Sequence, residues 1–594
     1  MNSKTIFKLR SIFLSPNSKM ELWLRTQYHR LNKTRLFFRF QDWKAKRSYH
    51  NQRTTQRELT LNGIQTLDRK LKITFLISYP GNIKKELLKT LKSIQDLEIT
   101  AWEIIISPHQ NDSKSLIPTE LNQDPRIRVS TSDTKSVIDL VTGDYVLICE
   151  AGDVFSKDFL SYFLKYLSED ESEDWYYYDC EYFDENSREI TPLFKPPSLS
   201  PELLLSINYL SRGLFAASYL IENSTSSALE NNLLDLEYAL ALKLCENNGI
   251  IKHIPQVLVR QTGLVKPDTQ KKQKVAISHL KRLGLKNISA QPTPFGAHFT
   301  WFSSNPSVAI IMPSTNNRDL LEPCLKSLFK NTNYNNFSVH IIDNDSDDPD
   351  TLSFYQEIKT NPKIKIHPYH NEFNYSEANN LGAAQSNSDL ILFLNDDMEV
   401  HNTEWLSELV QWAERPEIGV VGTKLIRENR IIQHAGIIIG LNGFAGHIYL
   451  NAPEHYQGLF GSVDWYRDFM AVTGACQMIR RDVFEEVQGF DEGYKLAFGD
   501  IDLCLRIRNL GYRIVYTPFA SIFHYEGQSR GYATPKEDII RGFNEMKSAL
   551  FVEDPYFSPN LTYARIPKYI RNSRSPDELE NLMEIRKNFY LKND

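Results

Sequence analysis

The sequence lacks long apolar runs and has few cysteines. No stretch of about 18 uninterrupted apolar residues occurs, so we expect no membrane-spanning helix. Short apolar pieces near the N-terminus are interrupted by Lys and Arg, so we also expect no secretory signal. The six cysteines are scattered without a CxxC pair, which favours reduced, buried thiols. These absences predict a cytoplasmic protein.

A strong net charge is also lacking, because 68 basic and 74 acidic residues leave only −6. The cations are nevertheless concentrated in residues 1–60, where Lys and Arg alternate with Phe, Leu and Trp. Such a basic amphipathic segment can lie peripherally on the inner face of the cytoplasmic membrane, or pack as a helical arm on its own protein, and both interpretations stay open. Nucleic-acid binding is not expected, since the rest of the chain is acidic and shows no nucleic-acid motif.

The length of 594 residues predicts two domains with terminal extensions. From residue 71, apolar strand-like runs alternate with helical patterns, which is typical of a parallel α/β sheet with right-handed crossovers. The runs expected to be strands are 72–80, 102–108 and 143–155. The stretches around 185–205 and 264–275 are expected to be loops.

The same order of elements recurs after roughly 240 residues, a spacing that indicates a duplicated domain and not a solenoid. The second set of strand-like runs covers 307–315, 337–345 and 389–400. We therefore predict a basic N-terminal extension at 1–70, a first domain at 71–290, a second domain at 305–545 and a helical C-terminal extension at 546–594.

The stretch DLILFLNDDMEV (389–400) carries the strongest chemical signal. Its apolar run ends at Asn395, Asp396 and Asp397, so a buried strand leads directly into oxygen ligands. Two adjacent carboxylates at a strand end favour a shared Mg²⁺ or Mn²⁺, whose remaining ligands would be phosphate oxygens. Ordinary turn chemistry is the alternative for this stretch taken alone.

Seven motifs in the second half together resemble glycosyltransferase family 2, whose members use nucleotide sugars and have the GT-A fold. The motifs are IIMPSTNN (310–317), HIIDNDSDD (340–348), FNYSEANNLGAAQSNSDLILFLNDDMEV (373–400), QHAGIIIG (433–440), AVTGACQMIRRDVFEEVQGFDE (471–492), FGDIDLCLRIRNLGYRIVYTP (498–518) and FHYEG (523–527). The resemblance is greatest to bacterial two-domain polysaccharide or O-antigen transferases of the rhamnosyltransferase-like type. It implies an α/β fold of two tandem GT-A, Rossmann-like domains.

The resemblance also implies a donor site for a UDP-, dTDP- or GDP-linked sugar. Asp397 is expected to bind the metal directly, and His524 is expected to complete the metal or diphosphate site. The expected nucleotide-side and sugar-side residues are Pro313, Thr315, Asp343, Asn380, Asp396, Thr473 and Gly474. Asn380 and Gly382 are expected in a turn, and Asn379 stands where many relatives carry Arg.

Asp500 is the expected catalytic base of an inverting transfer to a glycan or lipid-linked glycan acceptor. The family's Glu-Asp pair reads Gly499-Asp500 here, and the loss of the first acid is expected to keep the pKa of Asp500 lower. The alternative is that Asp500 only caps the N-terminus of the following helix.

The first domain departs from this pattern. Its counterpart of the metal motif reads Glu150-Ala151-Gly152-Asp153, and its counterpart of the base motif contains Glu237 without a paired Asp. We therefore expect a degenerate first domain and an active second one. A bifunctional transferase and a non-catalytic carbohydrate-binding scaffold are the alternatives.

Overall fold

The computed structural model describes residues 34–53, 71–97 except 82, 101–109, 124–130, 137–169, 173–184, 189–224, 232–264, 266, 269–525, 534–563 and separate positions between 579 and 588. The expectations for residues 1–33 and 54–70 lie outside this set. Of the basic N-terminal segment, the structure shows helix α1, Arg35–Arg53. None of the helices in the described part of the chain combines the length and apolar character needed to cross a bilayer.

The first domain is built around a nine-stranded mixed sheet. Strand β1 is buried along its whole length, as its uninterrupted apolar sequence predicts for a strand covered on both faces. The elements in chain order are β1 (Ile73–Tyr79), α2 (Lys84–Gln95), β2 (Trp102–Pro108), β3 (Ile127–Val129), β4 (Tyr145–Glu150), β5 (Val154–Phe155), α3 (Phe159–Glu169), β6 (Trp175–Asp184), β7 (Glu189–Leu193), α4 (Pro201–Ser206), β8 (Leu214–Ala216), α5 (Ala217–Asn223), α6 (Leu233–Glu246), β9 (Ile251–Gln261) and α7 (Gln270–Arg282).

The prediction of loops around 185–205 and 264–275 is wrong in part. Strand β7 lies within 185–205, helix α4 begins inside that stretch, and helix α7 begins inside 264–275. Helix α7 has Thr269 as its N-cap, whose hydroxyl accepts a hydrogen bond from the backbone N–H of Lys272. The basic, polar composition of this stretch led to the prediction of a loop instead. Strand β7 forms because it pairs antiparallel with β6, a tertiary contact that the charged, Pro-containing sequence around 185–205 does not predict.

A hairpin connects the first domain to the second. Its strands are β10 (Ser289–Thr293) and β11 (Gly296–Thr300), paired antiparallel. The following Trp301 donates its indole N–H to the Gln411 carbonyl at 3.1 Å, so the connector is packed on the second domain.

The second domain contains a ten-stranded mixed sheet. Its elements in chain order are β12 (Val308–Ser314), α8 (Arg318–Lys330), β13 (Phe337–Asp343), α9 (Pro349–Ile358), β14 (Ile364–Pro368), α10 (Tyr375–Ala384), β15 (Leu390–Leu394), β16 (Met398–Val400), α11 (Trp405–Ala413), β17 (Ile418–Ile426), β18 (Ile432–His434), β19 (Ile437–Ile439), a 3₁₀ turn (Leu441–Gly443), β20 (Ala445–His447), β21 (Gln457–Gly458), β22 (Gly461–Ser462), β23 (Arg467–Phe469), β24 (Cys476–Arg480), α12 (Arg481–Glu486), α13 (Gly499–Asn509), β25 (Arg513–His524), α14 (Lys536–Glu545) and α15 (Lys547–Leu550).

The two sheets share one topology. The first has the order β3-β2-β1-β4-β8-β6-β9-β5, and the second has the order β14-β13-β12-β15-β24-β17-β25-β16. Each begins with parallel strands and then turns mixed, and each position in one list has its counterpart in the other. The predicted tandem α/β fold is therefore confirmed.

The two domains are joined by buried polar contacts as well as by a shared apolar core. Glu202 of helix α4 pairs with Arg415 at 3.3 Å and with Arg513 at 3.0 Å, both in the second domain. The Ser200 hydroxyl donates to Asp468 at 2.6 Å. Because Ser200, Glu202, Arg415 and Asp468 are buried, separating the domains would expose polar groups that now satisfy one another.

Candidate functional site

A cavity of about 440 Å³ opens at the carboxyl ends of the central strands of the second domain. This is the edge where α/β sheets bind ligands, because the connecting loops diverge there. Seven of the residues expected to act on substrate or metal line it, namely Pro313, Asp396, Asp397, Thr473, Gly474, Asp500 and His524.

Three other expected residues do not line this cavity. Thr315 donates its hydroxyl to the Asn344 carbonyl at 2.8 Å, and Asp343 accepts from the Tyr355 hydroxyl at 3.3 Å at the end of strand β13. Asn380 donates to the Phe490 carbonyl and also accepts from its N–H, both at 2.9 Å. Their nucleotide-binding roles stay predictions.

The turn expected around Asn380 and Gly382 is wrong, because both lie inside helix α10. An added Cβ on Gly382 would come within 2.3 Å of the Ile311 side chain, so the small residue allows the helix to pack on the sheet. Asn379 is buried in the same helix and donates to the Tyr375 carbonyl at 2.8 Å.

Asp396 lines the cavity and is held in place by two hydrogen bonds. Its Oδ2 accepts hydrogen bonds from the Ser314 hydroxyl at 2.8 Å and from the Asn317 amide at 2.9 Å. Strand β12 ends at Ser314 directly beside strand β13, so the contact places the acidic motif at the junction of three parallel strands.

Asp397 and His524 face each other across a short antiparallel pair of strands. Met398 pairs with His524 in the β16–β25 register, and the Asp397 Oδ1 atom lies 3.3 Å from His524 Nε2. Oδ1 of Asp397 and Nδ1 of His524 are buried without a hydrogen-bond partner. In the described part of the chain, no cluster of three or more His, Cys, Asp or Glu side chains is placed to hold a metal ion.

This donor pair fits a cation whose coordination is completed by a ligand. Carboxylate oxygen suits Mg²⁺ and Mn²⁺. Such ions commonly keep only one or two protein carboxylates and take waters and phosphate oxygens for the rest. An unpartnered buried carboxylate oxygen is costly unless a cation or donor approaches it.

Asp500 lies in the first turn of helix α13, which begins at Gly499 after the left-handed Phe498 at φ 69°. Asp500 is thus inside the helix, and its expected alternative role as the N-cap is wrong. One carboxylate oxygen accepts from the Gly474 N–H at 2.8 Å and the other from the Ile501 N–H at 2.9 Å. These two bonds fix the carboxylate toward the cavity.

The expected low pKa of Asp500 is also wrong. Burial raises the pKa of Asp500 above its ordinary value, and the hydrogen bonds from Gly474 and Ile501 offset only part of that rise. The absence of a neighbouring acid was visible in the sequence, whereas the loss of hydration of the Asp500 carboxylate depends on its burial in the folded protein. A raised pKa makes the carboxylate a stronger base.

Two residues missed in the sequence shape the cavity. The Tyr375 hydroxyl donates to the Gly474 carbonyl at 2.9 Å and lines the wall. Asp538, from helix α14, accepts the backbone N–H groups of Lys495, Leu496 and Ala497 at 3.0, 2.8 and 2.8 Å. No local motif marks Asp538, since its role depends on a contact more than forty residues away.

A histidine pair forms another part of the site. His434 Nε2 accepts from the Gly436 N–H at 3.2 Å, so Nδ1 carries its proton and donates to His447 Nδ1 at 2.7 Å. Burial, with neighbouring His447 and His524, lowers the pKa of His434 well below its ordinary value. A neutral His447, which lines the cavity, then carries its N–H on Nε2.

The corresponding edge of the first domain is filled by Arg212. This fully buried guanidinium lies 2.5 Å from Asp153, 3.5 Å from Glu150 and 3.7 Å from Glu237. The Arg212 backbone N–H also donates to Glu237 at 2.5 Å. The acidic residues noted in the first domain are therefore brought together around an internal cation.

Residues 309–488 match the sequence profile of the family Glycosyl transferase family 2. The chain is 31% identical over 515 residues to "Uncharacterized protein y4gI" of Sinorhizobium fredii, covering 81% of this chain and 56% of that protein. It is 31% identical over 530 residues to "O-antigen biosynthesis protein RfbC" of Myxococcus xanthus, covering 84% and 40%. The chain thus spans about half the length of these relatives.

Among solved structures, GalNAc-T7 with UDP, GalNAc and Mn²⁺ is similar with a TM-score of 0.35 and 15% identity, covering 42% of this chain and 49% of that one. The mannosyltransferase PcManGT from Pyrobaculum calidifontis, with GDP-Man and Mn²⁺, gives a TM-score of 0.32 and 14% identity, covering 61% and 82%. The family match falls on the domain that holds the cavity. The similarity to glycosyltransferase family 2 is therefore located in residues 309–488 of the second domain.

Proposed function

We propose that the second domain transfers a sugar from a nucleoside diphosphate donor to a hydroxyl group of a glycan or lipid-linked glycan acceptor. The observation that carries this proposal is the single cavity that contains Asp397, His524 and Asp500. The cavity thus brings a candidate cation site and a candidate base to the same bound substrate. The similarity to a protein named for O-antigen biosynthesis supports cell-surface polysaccharide synthesis as the process.

Asp397 and His524 are proposed to hold Mg²⁺ or Mn²⁺ on the donor side. A bound divalent cation would neutralise the charge on the diphosphate leaving group. Asp396 is proposed to position the donor ribose nearby, since Ser314 and Asn317 hold its carboxylate in place.

Asp500 is proposed to act on the acceptor. The acceptor oxygen forms a bond to the anomeric carbon while the bond from that carbon to the diphosphate oxygen breaks, and the nucleoside diphosphate leaves with the electron pair. Asp500 takes the proton of the attacking hydroxyl. Attack on the face opposite the leaving group inverts the anomeric configuration. The backbone N–H of Gly474 holds the Asp500 carboxylate in one orientation, so less conformational entropy is lost when the transition state is reached.

The first domain is proposed not to transfer sugar. Strand pairing aligns Tyr145 with Leu390, because each stands opposite the first residue of the first strand of its domain. Counting forward, Ala151 and Gly152 take the places of Asp396 and Asp397. Neither replacement has a side chain that can bind a cation.

The base is absent from the first domain too. Tyr238 precedes strand β9 by the same number of residues as Asp500 precedes strand β25. Its hydroxyl is committed to the Leu204 carbonyl at 2.9 Å. The guanidinium of Arg212 pairs with Asp153 and Glu237. A divalent cation would therefore have to displace this side chain to reach the two carboxylates. We propose that this domain instead supports the second through the Glu202 contacts.

The decisive experiment measures hydrolysis and transfer with UDP-, dTDP- and GDP-sugars in the presence of Mn²⁺ or Mg²⁺. We expect one donor class to be used, with activity lost in Asp397→Asn and retained in Glu237→Gln. Loss of a second, distinct product in Glu237→Gln would instead favour a bifunctional transferase. Binding of glycan without use of any donor would favour the scaffold alternative.

A further inference from the structure

One face of helix α1 is packed against both domains. The ring of Phe38 meets that of Tyr456 edge-on at 5.0 Å, and the ring of Tyr49 lies 5.9 Å from Phe194. The Tyr49 hydroxyl donates to Glu181 at 2.7 Å. These contacts fix the rotation of the helix about its axis and thereby define which face points outward.

The outward face carries three large apolar side chains. Leu36, Phe40 and Trp43 follow helical spacing and are 79%, 49% and 50% exposed. This row is displaced by two positions from the buried row that contains Phe38 and Ala45, which is about 200° around the helix axis. The helix therefore has two apolar faces, and one of them faces solvent.

Cations surround the exposed row. Lys44 Nζ lies 4.3 Å from the centre of the Phe40 ring, and the Arg47 guanidinium lies 4.9 Å from that of Trp43. Arg39 is exposed beside them. A surface that meets this face must accept both apolar side chains and positive charge.

The acidic residue of helix α1 lies on its packed side. Asp42 accepts a hydrogen bond from the Tyr456 hydroxyl and pairs with Lys46 at 3.2 Å. Its charge is thereby compensated on the protein side, and the outward face keeps its positive charge.

We propose that the outward face of helix α1 docks the protein on a bilayer that contains anionic lipids. Leu36, Phe40 and Trp43 would enter the interfacial region while Arg39, Lys44 and Arg47 contact lipid phosphates. Nucleic acid would account for the cations but not for the apolar row. This proposal combines the two sequence interpretations, since one face of helix α1 packs on the protein and the other would bind the membrane.

The test is co-sedimentation of the full-length protein with vesicles. Wild type should bind vesicles of phosphatidylglycerol and phosphatidylcholine and be released by salt, with weak binding to phosphatidylcholine alone. Leu36→Ser/Phe40→Ser/Trp43→Ser should weaken binding at least about tenfold. Arg39→Gln/Arg47→Gln should weaken it about fivefold per cation.

Phe302→Ser is the matched control, because Phe302 is a large apolar side chain, 59% exposed, that belongs to the connector after strand β11 and not to helix α1. It should bind vesicles like wild type. All variants change exposed side chains, and equal melting temperatures would confirm that they fold.

Three results would overturn the proposal. The first is equal wild-type binding to both kinds of vesicle, or to neither. The second is unchanged binding of the triple serine variant, which would move the contact to another part of the chain. The third is binding to heparin or RNA without binding to vesicles, which would indicate a general polyanion site.

Discussion

Replacing Asp500 with Asn is the sharpest test of the proposed chemistry, because it removes a proton acceptor and little else. The two side chains are nearly equal in size. An Asn oxygen can still accept from the Gly474 N–H, but the amide group would then face the Ile501 N–H, which now donates to the carboxylate. The substitution therefore keeps one of the two observed hydrogen bonds.

The expected effects on rate and stability differ enough to be separated. Loss of one hydrogen bond costs about 1 kcal/mol, and part of this is offset because a neutral amide is easier to bury than a carboxylate. Loss of a general base costs about 10²–10⁴-fold in rate, or about 3–5 kcal/mol of transition-state stabilisation. Donor affinity should change little, because the base acts on the acceptor.

Single-turnover transfer and donor binding are the assays, with Asp502→Asn as the matched control. Asp502 lies on the same helix but pairs with Arg506 at 2.7 Å outside the cavity. We expect Asp502→Asn to retain the wild-type rate within about tenfold. Wild-type transfer by Asp500→Asn would refute the assignment of the base.

Three further predictions concern pH, metal and the first domain. Because burial raises the pKa of Asp500, the wild-type rate should fall as pH drops through that raised value, and Asp500→Asn should lack this acid limb in a pH–rate profile. The same carboxyl contributes stability at low pH that is lost as pH rises through its folded pKa, so acid loss of rate in a still-folded protein reports protonation of the base. Asp397→Asn should abolish the Mn²⁺ dependence of nucleoside diphosphate binding in calorimetry, and unchanged metal dependence would remove Asp397 from the cation site. Arg212→Met should lower the free energy of unfolding by about 3–5 kcal/mol in urea titrations, because Asp153 and Glu237 lose their buried counter-charge. Combining it with Asp153→Asn and Glu237→Gln should recover much of the lost stability. An Arg212→Met variant as stable as wild type would show that the arginine is dispensable.

The sequence by itself determined the parts of this protein that depend on neighbours along the chain. Continuous apolar runs predicted strands β1, β2, β12 and β15 within a few residues, because a strand buried on both faces admits few polar side chains. The sequence likewise predicted that strand β15 leads directly into Asn395, Asp396 and Asp397. The recurring order of elements was sufficient to predict two related sheets.

Only the tertiary structure decided which groups face one another. The carboxylate of Asp500 is oriented by Gly474, the loop beside it by Asp538, and the tautomer of His447 by His434. None of these pairs follows a local rule, because each joins separate elements.

The first domain shows the same limit most clearly. Its sequence retained Asp153 and Glu237, and residual activity was therefore compatible with it. The fold places the guanidinium of Arg212 between them, 59 residues from Asp153 along the chain. Composition can record that charges are present, whereas their mutual neutralisation depends on distances that only folding creates.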